Sequence, residues 1–456
     1  MRFLARAAFA VALLAPTFAL AQAARMAGDW YGTLDAGIKL PLIVHIKADG
    51  ATLVDSPAQG AKDLPGKASL TDDKARVDLT VPLAAFEGQL SADGKTLTGH
   101  WLQGGGKLPL TLSKDVPVPL AAPSRPQTPK APIPYRAEEV GYLNPASGLK
   151  LAGTLTLPPG QGPFPVALLI SGSGIQDRDE TIAGHKPFLV LADALTRKGV
   201  AVLRVDDRGA GGSQTGDLKA ATTTDFVSDV QAGVSFLRGR ADIDPARIGL
   251  IGHSEGGLIA PIVAAKDPKI AFLVLMAGTG VPGGVLLPTQ ARDVALASGA
   301  PAAYAQQQAE LVVALNAIVE AQADPAQARP KLIALLTGAG IPASTAAMQT
   351  DMMTSPWYRQ FLTLAPATSL AQVRAPVLAV NGAKDTQVSA AVNLPAIKSA
   401  LTQSRDVTTV ALPGLNHLFQ TAQTGAPQEY GQIEETLAPP ALDLIVNWAV
   451  AHTVKP

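Results

Sequence analysis

Residues 248–260 read Ile-Gly-Leu-Ile-Gly-His-Ser-Glu-Gly-Gly-Leu-Ile-Ala, which sets Ser254 between Gly252 and Gly256. A G-x-S-x-G run makes a sharp strand-to-helix turn that strains the serine and lifts its hydroxyl to the C-terminal edge of a sheet. The glycines are required because strand and helix approach too closely there for a Cβ. A hydroxyl presented in this way is suited to attack a carbonyl carbon and carry an acyl group. In a chain with 42 glycines the pattern alone is weak. Its context makes it specific: one apolar run precedes it and another follows, as a strand and a helix require.

A serine hydroxyl is a poor nucleophile until a base takes its proton. The chain has six histidines. His45 and His100 fall in an N-terminal β region, and His185 precedes the serine. His253 adjoins Ser254 with its side chain directed elsewhere, and His452 follows the last helix. His417 remains, in Leu412-Pro-Gly-Leu-Asn-His-Leu418, on a loop after the last core strand. Asp385 ends the strand-and-loop segment Ala379-Val-Asn-Gly-Ala-Lys-Asp385. It is expected to accept the Nδ1 proton of His417, fixing the tautomer and stabilising the imidazolium. Asp406 precedes its strand and so falls at the wrong end of the sheet.

Acyl transfer also needs N–H donors for the developing oxyanion. One is expected from Glu255, the residue after the serine, at a helix N-terminus. The other is assigned to Ser173 in Leu169-Ile-Ser-Gly-Ser-Gly174, with Gly172 keeping the backbone open.

These residues need a scaffold. From Glu138 onward, apolar runs such as Val166–Ile170, Val200–Val205, Ile248–Ile251, Phe272–Met276, Val377–Val380 and Val407–Leu412 alternate with amphipathic stretches. That rhythm predicts an α/β fold with a mostly parallel central sheet covered on both faces. The alanine-rich stretch from Leu286 to about Leu370 breaks it without a convincing strand and is expected to form a helical cap over the strand ends. Trp357, Tyr358 and Phe361 are candidates to line an acyl pocket or to pack the cap on the core.

Residues 26–115 show short alternating runs separated by Ala-Asp-Gly turns, which predicts a small antiparallel all-β domain, a sandwich or an open barrel. Residues 116–136 are proline-rich and read as a semi-extended linker. The first 23 residues read as a signal peptide: Arg2 and Arg6, an apolar run from Ala7 to Leu14, then Ala21-Gln22-Ala23 as a cleavage site. A periplasmic or secreted location follows. That apolar run is too short to cross a bilayer, which takes about 20 residues, and no later run is long enough for stable membrane insertion.

Composition narrows the function classes. Lysine plus arginine balances aspartate plus glutamate at 37 each, giving no electrostatic argument for nucleic acid. Cysteine is absent, which excludes disulfides, thiolate metal sites and a cysteine nucleophile. No metal-ligand spacing is visible and no cofactor is expected.

From about Glu138 to the end the chain resembles bacterial α/β-hydrolases of the secreted esterase and serine-aminopeptidase-like group. The matching segments are Ser171-Gly-Ser-Gly-Ile-Gln-Asp-Arg-Asp179, Asp206-Asp-Arg-Gly-Ala-Gly-Gly-Ser213, Gly252-His-Ser-Glu-Gly-Gly257, Asn381-Gly-Ala-Lys-Asp385 and Asn416-His417. The resemblance implies an α/β-hydrolase catalytic domain over 137–456 with the cap at about 286–370. It implies hydrolysis of esters, lactones, thioesters or small amides, and leaves the substrate open. Ser171-Gly172 stands where many relatives carry His-Gly. Cleavage of carboxylic esters, on a small-molecule substrate, is the leading expectation. A peptidase or amidase on the same three residues is the alternative. From a different class comes an envelope- or carbohydrate-binding protein with a degenerate hydrolase domain, against which the complete serine, aspartate and histidine set argues.

Overall fold

The computed structural model describes residues 23–35, 39–56, 61–79, 84–103, 106–115 and 124–453. All but the last residue of the expected signal peptide, and residues 116–123 of the expected linker, lie outside these. The chain divides into two units, 1–122 with 333–350 and 123–332 with 351–456.

In the first unit, β1 (Gly28–Asp35), β2 (Lys39–Ile46), β3 (Ala51–Ser56), β4 (Ala61–Thr71), β5 (Lys74–Leu79), β6 (Ala84–Leu90), β7 (Thr96–Gln103) and β8 (Gly106–Ser113) follow one another antiparallel. Every second side chain points inward, as period-two strands dictate: Val54, Val77 and Leu97 are buried while their neighbours face out. Trp30, Phe86, Leu110 and Leu112 complete the filling. Against the expectation of a sandwich or open barrel, the sheet closes. Tyr31 pairs with Ser113 and Gly32 with Leu112, joining β1 to β8. Closure removes the exposed edges that an open sheet would present, and eight strands leave an interior that side chains can fill.

The second unit is built on an eight-stranded sheet. Its strands are β9 (Arg136–Leu143), β10 (Lys150–Leu157), β11 (Phe164–Ile170), β12 (Ala201–Val205), β13 (Ile243–His253), β14 (Leu273–Met276), β15 (Val377–Gly382) and β16 (Val407–Leu412), in the spatial order 16-15-14-13-11-12-10-9. The sheet is mixed: mostly parallel, as expected, with an antiparallel edge. From β12 across to β16 all pairs are parallel, whereas β10 runs antiparallel to both β12 and β9. For β9 and β10 the short connection permits only a hairpin, because parallel strands need a crossover.

Along β11 the alternation divides two cores. Val166, Leu168 and Ile170 join α2 (Thr223–Arg238), α3 (Glu255–Lys266) and α10 (Ala390–Ala400) on one face. Ala167 and Leu169 join α1 (Pro187–Arg197) and α11 (Pro439–Ala451) on the other. Between β14 and β15 come only helices: α4 (Gly283–Ala297), α5 (Ala302–Ala321), α6 (Pro325–Gly338), α7 (Ala343–Met353), α8 (Pro356–Thr363) and α9 (Pro366–Leu370). The Ser355 hydroxyl caps α8 by accepting the Tyr358 N–H at 3.2 Å. Phe361 of α8 and Leu286 of α4 pack with Leu258 of α3 and Val388. That contact holds α4 and α8 over the start of α3. Among the described residues no helix is long and apolar enough to cross a membrane.

The segment before β9 is tied down. Arg125 donates to the carbonyls of Ile433 at 2.7 Å, Gly431 at 2.8 Å and Ala183 at 3.1 Å. Gln127 donates to the Leu437 carbonyl and accepts the Thr436 and Leu437 N–H groups.

Candidate active site

The apolar strand β13 passes directly into α3, and Ser254 is the single residue between them. Its backbone is strained, with φ 52° and ψ −115°. The turn exists because nothing larger than hydrogen fits beside it. A Cβ on Gly252 would lie 2.1 Å from the Gly256 carbonyl oxygen, and one on Gly256 would lie 2.1 Å from that of Ile170. Ser254 also donates its N–H to Met276 at 2.8 Å, which fastens the turn to the end of β14.

Two strands further along, the loops after β15 and β16 bring Asp385 and His417 together. His417 Nδ1 lies 2.9 Å from Asp385 Oδ2, with both side chains almost fully buried. Asp385 is fixed from its other oxygen, which accepts the N–H groups of Gln387 and Val388 at 2.9 and 2.8 Å. The His417 loop is shaped by Asn416, whose Oδ1 accepts the N–H of Leu418 and Gln420. His417 stands beside the serine's neighbour: its ring centroid is 4.8 Å from that of His253, and its carbonyl accepts from His253 Nε2 at 3.1 Å. The Ser254 hydroxyl has no hydrogen bond to a protein group among the described residues. Contacts of this kind commonly tighten only around bound substrate.

The expected oxyanion donors sit on either side of the serine. A Cβ on Gly172 would lie 3.2 Å from Ser254 Cβ, so the loop after β11 runs against the turn. The Gly172 N–H is already taken by Glu180 Oε1 at 2.7 Å. Among the described residues, the N–H groups of Ser173 and Glu255 have no protein acceptor. Ser173, Ser254 and Glu255 line one cleft together with Thr279, Leu286, Leu287, Gln290, Trp357, Phe361, Gln387 and Val388. The cleft holds about 120 Å³. Trp357 and Phe361 form its wall as a stacked pair, with centroids 5.4 Å apart. Tyr358 turns away and bonds Asn316 at 2.7 Å. The Glu255 carboxylate is anchored through Oε1, which accepts from Thr223 Oγ1 at 2.7 Å and Trp357 Nε1 at 2.9 Å.

Loop charges around the site are braces. Arg208 grips Asp229 at 2.8 and 3.0 Å, and Arg178 grips Asp206 at 2.7 Å. Asp207 holds Ser171 Oγ through both oxygens, at 2.9 and 3.0 Å, and the Gln176 N–H at 2.9 Å. It lies in an apolar pocket with Tyr142, Leu168 and Phe226. Burial pushes its carboxyl up to about 7, although those hydrogen bonds oppose the shift. The Arg178 side chain and the Gln176 backbone are thus bound into the scaffold.

Two residues of this region carry more than sequence reasoning gave them. The sequence marks His253 only as the neighbour of Ser254 and gives no local signal at Glu180. They pair in the interior, His253 Nδ1 to Glu180 Oε1 at 2.9 Å. The pairing spans 73 residues, and no local spacing announces it.

The sequence profile of the family described as serine aminopeptidase, S33, matches residues 186–421, just over half of the 456-residue chain. The chain belongs to this family. The S33 chain is similar to Esterase EstD of Thermotoga maritima, 35% identical over 137 residues, or 29% of this chain and 31% of the esterase. It is also similar to Thiohydrolase aneE of Aspergillus aculeatus, 30% identical over 136 residues, or 30% of this chain and 40% of the thiohydrolase. The chain thus spans less than half the length of these two relatives. A solved Pyrococcus furiosus esterase aligns at 17% identity and TM-score 0.41, covering 61% of this chain and 83% of that one. A dienelactone hydrolase from Anabaena variabilis aligns at 17% identity and TM-score 0.38, covering 70% and 96%. Membership of S33 places the chain in a serine-hydrolase group.

Proposed function

We propose that the chain cleaves carboxylic esters of short acyl chains through an acyl-enzyme on Ser254. His417 is the base and Asp385 the carboxylate that orients it. The observation that carries this reading is the strained turn at Ser254, which opens into the cleft walled by Trp357 and Phe361. In the reaction Ser254 Oγ attacks the ester carbonyl carbon while His417 Nε2 takes its proton. The negative charge moves to the carbonyl oxygen, where the Ser173 and Glu255 N–H groups receive it. Collapse expels the alcohol, which takes the proton from His417, and water repeats the sequence to release the acid. Asp385 keeps the Nδ1 proton in place, so that Nε2 faces the serine.

A second reading rests on Glu255. The residue lines the cleft, with its carboxylate held by Thr223 and Trp357, and a cationic amine on the substrate would be attracted to that charge, as amide cleavage at an amino terminus requires. One assay separates the two. The purified protein is offered p-nitrophenyl acetate, p-nitrophenyl butyrate and an aminoacyl-p-nitroanilide. The ester reading expects turnover of the first two, lost by about 10³-fold or more in Ser254→Ala. A folded variant keeping more than a few per cent of the activity would remove Ser254 from the mechanism, and anilide turnover above ester turnover would favour the amidase. The same reading includes export, with cleavage after Ala23. Intact mass of the protein recovered from the periplasm or medium tests it, and a retained N-terminus would refute it.

A further inference from the structure

One carboxylate oxygen beside the proposed nucleophile serves two groups at once. Glu180 Oε1 accepts the Gly172 N–H at 2.7 Å and faces His253 Nδ1 at 2.9 Å. His253 Nε2 lies 3.1 Å from the His417 carbonyl, which can only accept, so that nitrogen carries a proton. The ring therefore donates at both ends and is an imidazolium against a carboxylate. Glu180 and His253 are 1% and 3% exposed. Glu180 is also held in the left-handed region at φ 51°, costly for a residue with a side chain.

We propose that the buried Glu180–His253 ion pair is a positioning unit for hydrolysis, setting the Ser173 oxyanion donor and the His417 base against Ser254. Three elements meet in it: the loop after β11 through Gly172, the strand leading to Ser254 through His253, and the loop after β16 through the His417 carbonyl. By taking the Gly172 N–H, Glu180 leaves the next N–H, that of Ser173, as the donor at the cleft. By holding the His417 backbone, His253 fixes the height of the imidazole beside it.

A fold-keeping role alone would not favour this choice, because buried ion pairs are commonly matched or bettered in stability by apolar side chains of the same volume. Here two charges are buried, one of them on the residue next to Ser254, and the Glu180 backbone is strained. Position is what they supply. The groups facing His253 are the Glu180 carboxylate, the neighbouring His417 ring and Asp385 beyond it. Burial works against a charged ring, yet the Glu180 carboxylate outweighs it and raises the His253 pKa above the ordinary histidine value.

The proposal rests on Ser254 being the nucleophile, and its test keeps the two claims apart. The full chain with ¹⁵N-labelled histidine, assigned by comparison with His253→Asn, should show a His253 ring protonated on both nitrogens at pH 7.5. Glu180→Gln should abolish that signature. A neutral His253 in the wild type overturns the ion pair, whatever the serine does.

The kinetic arm uses p-nitrophenyl butyrate. Glu180→Ala should lower kcat by about 10²-fold, the scale of a displacement of about 1 Å in a catalytic group, with KM within threefold and binding of phenylboronic acid weakened in parallel. Glu180→Gln, whose amide oxygen can still take the Gly172 N–H, should recover kcat only in part, to between about a tenth and a half of wild type. Unchanged kcat in folded Glu180→Ala overturns the proposal. So does a loss matched by an equal fall in fluorophosphonate-titrated active sites. Where Glu180→Ala fails to fold, Glu180→Gln decides: wild-type kcat with the imidazolium lost overturns the proposal. Full activity of Ser254→Ala would instead fault the reading of the nucleophile.

Discussion

Asp385 and His417 meet at 2.9 Å through Oδ2 and Nδ1, and Asp385 is pinned from behind by two backbone N–H groups on Oδ1. The carboxylate thus has no freedom to follow the imidazole if that ring moves. Orientation is imposed from the Asp385 side.

Asp385→Asn should therefore preserve the fold and remove most of the rate. The amide would still fill the site, but its NH₂ presented to Nδ1 favours the wrong tautomer of His417. A fall in kcat of about 10³–10⁴-fold is expected, with KM changed by less than threefold. Stopped-flow ester hydrolysis on the purified variant measures it. A loss of under tenfold would mean that another carboxylate orients the base.

Gly252→Ala should be far more damaging than its size suggests. The added carbon would lie 2.1 Å from the Gly256 oxygen and 2.2 Å from its carbonyl carbon, so strand and helix must separate. Overpacking in a closed core costs about 1–3 kcal/mol or more, and here it also displaces Ser254. Gly338→Ala is the control, since its added carbon meets nothing within 4 Å. Thermal melts should show a clear drop for the first and little change for the second. Equal melting temperatures with full activity would contradict the tight turn.

Acyl length should be limited by the Trp357 and Phe361 wall. Each methylene that fits adds about 0.8 kcal/mol of apolar burial, and a wall reverses that gain. The wild type should reach its highest kcat/KM between acetate and hexanoate and decline beyond. Trp357→Ala should move the optimum to longer esters. A steady rise in the wild type from decanoate to palmitate would show an open groove and exclude the wall.

Asp207 gives the stability of the second unit a specific pH dependence. Its carboxyl titrates near 7 when folded, above the ordinary value of 3.8. Between those values the folded chain holds a proton that the unfolded chain releases. Its contribution is full below pH 4 and is lost as pH rises through 7. Asp207→Asn, which cannot ionise, should be more stable relative to wild type at pH 8 than at pH 4. Denaturant midpoints at the two values test this. A pH-independent difference would mean that Asp207 is charged throughout.

The parts of this molecule that were legible in the sequence are those encoded locally. A glycine-flanked serine between apolar runs predicts its turn because the steric demand acts within four residues. Strand-and-helix alternation likewise exposed the second unit. What stayed hidden depends on partners distant in the chain. Closure of the barrel needs Tyr31 opposite Ser113, and neither strand advertises the other. The antiparallel edge is a matter of pairing too: Glu139–Leu143 and Leu149–Leu157 read as strands, but their direction in the sheet depends on partners. Glu180 and His253 were missed for the same reason: each is unremarkable in its own segment, and only the tertiary fold makes them one unit.

The contacts of Arg125 and Gln127 bear on how this chain can be recombined. Proline-rich stretches invite cutting and splicing, and a graft begun at the first strand of the hydrolase sheet would look natural. It would discard the guanidinium that satisfies the carbonyls of Ala183, Gly431 and Ile433, and the amide that satisfies the backbone of Thr436 and Leu437. The released stretch continues from the His417 loop, so the damage would surface as a weakened base rather than a missing strand. A transplantable hydrolase module has to carry its leader with it, from residue 124 onward.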